Sequence, residues 1–144
     1  REWQVVDTPG YLDTTLTPAA MDDLLAQFAD VVGDHIVALV FVVPYGRFGD
    51  AHMRAWRLSR GAFGPSARQY TALAFTSCGD RSQADVRAEI ARLCGNEKPP
   101  AVCTVVAELV DPDRILCFGK LEKERQAFDR SRLFEMAESF ERAN

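Results

Sequence analysis

Asp7-Thr8-Pro9-Gly10 closes the apolar run Val5-Val6 near the start of the sequence, and its residue types suit phosphate chemistry. A carboxylate at the end of a strand can reach a hydrated magnesium ion, and the backbone N–H of a glycine three positions along can approach a γ-phosphate. Such a segment ordinarily stands second, after a GxxxxGK[ST] loop whose amides and lysine envelop the phosphates. Here only Arg1 to Gln4 precede the run that begins at Val5, and that pattern occurs nowhere in the 144 residues. Further residues able to do chemistry fall at the ends of other apolar runs: Arg47 in Pro44-Tyr45-Gly46-Arg47-Phe48-Gly49-Asp50, Thr76 and Asp80 in Thr76-Ser77-Cys78-Gly79-Asp80, and Lys120 in Phe118-Gly119-Lys120.

The elements that must position these residues follow from hydrophobic patterning. Trp3 to Val6 is apolar enough for a strand, broken by Pro9-Gly10. Thr17-Pro18 reads as an N-cap followed by proline in the first turn, and Met21, Leu24, Leu25, Phe28 and Val31 repeat at helical spacing until Gly33. Ile36 to Val43 is an unbroken apolar run without alternation, the pattern of a central parallel strand covered on both faces. Asp50 caps a helix carrying Met53, Trp56 and Phe63 that Gly64-Pro65 ends, and Tyr70 to Thr76 is the next strand. Ser82 with Asp85 resembles a capping box for a helix through Val86, Ile90 and Leu93 to Gly95. Pro99-Pro100 opens another helix through Val102, Val105, Val106 and Leu109, with a strand as the competing assignment because of its β-branched residues. Arg114 to Phe118 reads as a strand, and Phe128, Leu133, Phe134, Ala137 and Phe140 line a final amphipathic helix.

The order β-α-β-α-β-α-α-β-α predicts a three-layer α/β domain, with a mostly parallel sheet, helices on both faces and binding loops at the carboxyl ends of the strands. One domain accounts for 144 residues that are 47% hydrophobic. The net charge of −4 and pI near 5.2 give no general attraction to nucleic acid or anionic lipid. Ile36 to Pro44, the longest apolar run, is too short to span a bilayer, so no membrane segment is expected in this stretch. Cys78, Cys94, Cys103 and Cys117 form no CxxC pair, and with His35 and His52 they give no zinc spacing. They read as reduced, mostly buried thiols of a cytoplasmic protein.

Taken together, VVDTPGYLDT, DHIVALVFVVPYGRFGDAHMRAW, FGPSARQYTALAFT, CGN and RILCFGK before a charged helix resemble the AIG-type GTPases, the immunity-associated nucleotide-binding proteins also called GIMAPs. The likeness runs in order along nearly the whole chain. The run from Asp34 through Phe63 is its most specific part, and the plastid-envelope Toc receptors are similar at a greater distance. The resemblance implies a P-loop GTPase-like fold of which residues 1–144 hold the later part, from DTPG to the last helix. It implies GTP or GDP and magnesium as ligands, with Asp7 holding magnesium through a water and Asp7, Thr8 and Gly10 on the phosphate side. Thr76 to Asp80 would be the base-reading loop, and Lys120 would lie beside the purine.

Three departures from the family pattern bear on these roles. Gly79 stands where the family's base-reading carboxylate stands, so Asp80 must shift along the loop. Phe118-Gly119-Lys120 replaces the usual Phe-Asn-Asn, and Tyr11 follows Gly10 where many small GTPases place a water-orienting glutamine. The resemblance supplies another catalytic group, Arg47, presented to a neighbour's nucleotide in a face-to-face homodimer. Without a phosphate-gripping loop in these residues, nucleotide binding is expected to be weakened or absent and the chain by itself inactive. A degenerate, non-hydrolysing domain acting as an interaction module is the alternative. A receiver-type or von Willebrand-type α/β domain would also place acids at strand ends, but explains neither GRF nor the FG that follows. The same residues also have plainer roles: Asp7 capping a turn, Arg47 solvated in a loop, and Asp80 capping the helix after Arg81. Apolar sheet surface and self-association are further expectations.

Overall fold

The computed structural model describes residues 4–8, 10, 16–32, 36–109, 111–119 and 123–143. Helix α1 (Pro18–Val32) is followed by strand β1 (Leu39–Pro44), helix α2 (Asp50–Phe63), a 3₁₀ segment (Pro65–Tyr70) and strand β2 (Thr71–Thr76). Helices α3 (Gln83–Cys94) and α4 (Val102–Glu108), a short 3₁₀ turn (Pro112–Arg114), strand β3 (Ile115–Cys117) and helix α5 (Lys123–Ala143) complete the order. The three strands form one parallel sheet in the order β1-β2-β3, with Pro44 level with Thr76 and Phe75 level with Cys117.

Local chemistry explains most of the boundaries. The Thr17 hydroxyl accepts the Ala20 N–H at 3.2 Å at the start of α1. Ser82 and Asp85 form the reciprocal capping box of α3, with Asp85 N–H donating to Ser82 Oγ and Ser82 N–H to Asp85 Oδ2, both at 3.1 Å. The competition at Val102–Leu109 is resolved as helix: its 3-1-3 spacing buries Val102, Val105 and Leu109 together, which a strand would split between two faces. Asp50 is not the cap of α2. Gly49 holds that position, the His52 ring nitrogen Nδ1 accepts its N–H at 3.2 Å, and Asp50 sits in the first turn, where its charge suits the helix dipole.

Side chains alternate across β2 and β3 and divide the core in two. Leu73, Phe75, Ile115 and Cys117 pack with Trp56 of α2, Val86 and Ile90 of α3, and Val102 and Val105 of α4. Ala72, Ala74 and Leu116 face the other way, toward Leu133 and Met136 of α5. Large residues fill the side covered by several helices, and alanines let the single helix approach closely. Helices therefore cover both faces of the sheet, while α1 rests on α2 with Phe28 edge-on to Phe63 at 6.0 Å.

Three further expectations are corrected. The first concerns Trp3–Val6: Gln4 to Val6 are not strand, since no described strand pairs with them, and Val5 and Val6 are 78% and 49% exposed, while Trp3 lies outside the described residues. The second concerns Ile36–Val43, whose β1 portion lies at the edge rather than the centre among the described strands. The middle strand is β2, buried from Thr71 to Phe75, whereas Val42 of β1 is 57% exposed. An unbroken apolar run specifies burial but not which neighbours provide it. Third, the four cysteines are not all thiols. Cys94 and Cys103 form a disulfide with Cα atoms 5.3 Å apart, because the loop after α3 doubles back and lays the first turn of α4 against its end. Cys78 and Cys117 are buried thiols outside that disulfide.

Candidate functional site

The carboxyl ends of the three parallel strands converge on one rim, and backbone hydrogen bonds join the loops that leave them. Tyr45 N–H donates to Thr76 O at 2.8 Å, Phe118 N–H to Phe75 O at 2.7 Å, and Cys78 N–H to Phe118 O at 3.2 Å. The loops after β1, β2 and β3 thus begin as extensions of the ladder. After β1, Arg47 N–H donates to Pro44 O at 3.2 Å across a tight turn in which Gly46 takes a φ of 74°, the left-handed position that glycine fills without strain. Arg47 is exposed, and its guanidinium forms no hydrogen bond or ion pair among the described residues.

The loop after β2 is the more constrained. Ser77 has a φ of 59°, a left-handed conformation for a residue with a Cβ, and Gly79 follows at 63°. Cys78 between them is fully buried and its thiol donates to Phe75 O at 3.4 Å, anchoring the loop from below. Arg81 ties it from above: its guanidinium lies 5.2 Å from the Tyr45 ring centre and donates through Nη1 to Cys78 O at 3.4 Å, while its own carbonyl accepts from the Cys117 thiol at 3.9 Å. Tyr45 also meets Phe75 edge-on at 5.6 Å. Burial, and next the Glu89 carboxylate, hold the Tyr45 phenol above its usual pKa. Glu89 is itself held below the usual carboxylate range by its hydrogen bonds from Arg92.

Of the residues singled out from sequence, Arg47, Thr76 and Asp80 lie at this rim. Arg47 and Asp80 follow neighbouring strand ends, and both are exposed. Ser82, not Asp80, caps α3, so the plainer role for Asp80 is removed. Thr76 is half-buried, and its hydroxyl donates back toward Val43 O at 3.5 Å. Asp7 and Gly10 are exposed and Thr8 is half-buried, in a segment that no described strand carries into the sheet. Lys120 lies outside the described residues. Among the described residues no three His, Cys, Asp or Glu side chains cluster as metal ligands. Asp7 supplies one hard oxygen, so a magnesium ion there would depend on phosphate and water for most of its coordination, and the described residues alone do not make a metal site.

Two parts of the surface were not legible beforehand. Tyr45 and Arg81 interlock the first two rim loops, although the sequence shows only a tyrosine in a Pro-Gly turn and an arginine before a cap. Away from the rim, a cleft of about 410 Å³ between α2 and α4 is lined by Met53, Trp56, Arg57, Arg60, Thr104 and Glu108. There Trp56 Nε1–H donates to Glu108 Oε2 at 2.9 Å and Arg60 pairs with the same oxygen. Trp56 and Glu108 are 52 positions apart, beyond the reach of any local pattern.

These features define an α/β protein whose strand-end loops are fastened into one rim. No protein-family model matches the chain, so its likeness to the AIG-type GTPases rests on the motifs quoted above.

Proposed function

We propose that this chain carries the later strand-end loops of a guanine-nucleotide-binding, GTPase-type domain of the AIG/GIMAP kind, in the cytoplasm, with GTP or GDP and magnesium as its ligands. The observation that supports it best is the joined rim: three parallel strand ends whose loops hydrogen-bond to one another and present Arg47 and Asp80 to solvent. Nucleotide sites of parallel α/β folds form at such strand ends. In this reading Thr76 to Asp80 contact the base, with Asp80 serving in place of the carboxylate missing at Gly79, and Lys120 adds its stem to the purine face. Asp7, Thr8 and Gly10 belong to the magnesium and phosphate side. Arg47 acts in trans in a homodimer, where an arginine can neutralise charge on the transferring phosphoryl group.

Affinity is expected to be low, because no GxxxxGK[ST] loop lies in these 144 residues and most of the energy of triphosphate binding comes from such amides and lysine. A second reading, a degenerate domain that serves as an interaction module, is favoured by the exposed apolar side chains Val5, Val6 and Val42.

An amide-resolved NMR titration with GDP, with ADP as the control, tests the first reading. The expected result is a dissociation constant near or above about 1 mM, shifts confined to residues 7–10, 45–49, 76–81 and 118–120, and a preference for GDP that Asp80→Ala removes. Equal response to both nucleotides, or shifts elsewhere, would favour the interaction module. Micromolar affinity would refute the importance given to the phosphate-gripping loop.

A further inference from the structure

Helix α4 is poorly equipped to form by itself. It has seven residues, Ala101 at the N-cap provides no side-chain hydrogen bond, no acidic residue lies in its first turn, and Val102, Thr104, Val105 and Val106 are β-branched. A helix so short and so poor in propensity depends on tertiary attachment. Residues 95–101, which lead into it from α3, are all exposed and offer no apolar anchor. Attachment comes from Val102, Cys103 and Val105 in the core and from the covalent bond between Cys103 and Cys94 at the end of α3. At its other end α4 delivers Glu108 to Trp56 and Arg60, closing one wall of the α2–α4 cleft.

We infer that the Cys94–Cys103 disulfide is a redox-sensitive fastener of α4, and that its reduction by a cellular thiol loosens α4 and opens the Trp56–Glu108 wall of the cleft. Cys94 is the more exposed residue of the pair, half-buried where Cys103 is 7% exposed. A thiolate RS⁻ attacks Cys94 Sγ, the S–S bond breaks, and Cys103 leaves as a thiolate that takes up a proton. A second RSH then attacks the mixed disulfide, giving the Cys94 thiol and RSSR, so two electrons and two protons enter the protein. Cys78 and Cys117 take no part, since both are buried with their thiols donating to the carbonyls of Phe75 and Arg81.

The test uses the whole chain, purified without reductant, in a Trp3→Phe background that leaves Trp56 as the one tryptophan of the two. Alkylation in denaturant should add two groups before and four after treatment with dithiothreitol, and peptide mapping should place the protected pair at Cys94 and Cys103. On reduction the amides of Val105 to Leu109 should exchange about 10-fold faster or more while those of Leu73 to Phe75 keep their rate, and Trp56 emission should move to the red. The Cys94→Ser/Cys103→Ser variant should match the reduced protein and ignore the reductant. The native-sequence exchange experiment decides the matter even if that variant fails to fold. Four alkylated thiols without reductant, unchanged α4 exchange and emission, or equal acceleration in β2 would each overturn the inference.

Discussion

Replacing Glu108 is the sharpest test of how α2 and α4 are held together. Trp56 is 2% exposed, and its indole N–H donates to a carboxylate oxygen at 2.9 Å. Glu108→Ala leaves that donor buried without its charged acceptor, a loss of about 1.5–3 kcal/mol. The ion pair with Arg60 adds little, because both side chains are about a third exposed, at 33% and 30%, and solvent screens such pairs to about 0–1 kcal/mol. The indole bond should therefore dominate, and Glu108→Ala should cost about 2–3 kcal/mol. With an unfolding entropy of about 2.1 cal/mol/K per residue, the chain as a whole gives about 0.3 kcal/mol/K, so Tm should fall by roughly 7–10 °C. Arg60→Ala should lower it by at most about 3 °C. Glu108→Gln, which keeps an acceptor oxygen but loses the charge, should fall between the two. Thermal and urea unfolding of the disulfide-bonded protein, with Trp56→Phe completing a double-mutant cycle, supply the comparison. If Glu108→Ala and Arg60→Ala lie within about 0.5 kcal/mol of each other, or if the cycle shows no coupling, the account of this contact is wrong.

Two further outcomes follow from the sheet edge and the rim. Val42→Lys places a charge on an exposed edge strand, so it should reduce concentration-dependent association in sedimentation velocity while changing stability by no more than about 0.5 kcal/mol; unchanged association would show that this edge is not the adhesive surface. Tyr45 keeps its proton more tightly in the folded than in the unfolded chain, so its contribution is fully present below pH 10.0 and is lost as pH rises through the folded-state value. Phenolate absorbance should show one tyrosine titrating late, and Tyr45→Phe should abolish that part of the alkaline loss of stability.

The local elements were legible because their signals act within a turn or two of chain. The Thr17 cap, the Ser82/Asp85 box, the Gly64-Pro65 break and the 3-1-3 spacing of Val102, Val105, Val106 and Leu109 each carry their own geometry. The alternation of strands and helices from β1 onward also sufficed to place the loops containing Arg47, Thr76 and Asp80 at strand ends in a parallel sheet. The rest depended on partners far away in sequence. Strand order left an unbroken apolar run at an edge, and no described partner made Gln4 to Val6 a strand. The folding back of residues 95–101 joined Cys94 to Cys103, and packing brought Arg81 over Tyr45 and Glu108 to Trp56. Periodicity states which face of an element must be buried; only the assembled chain decides which neighbour covers it and which polar groups that neighbour brings.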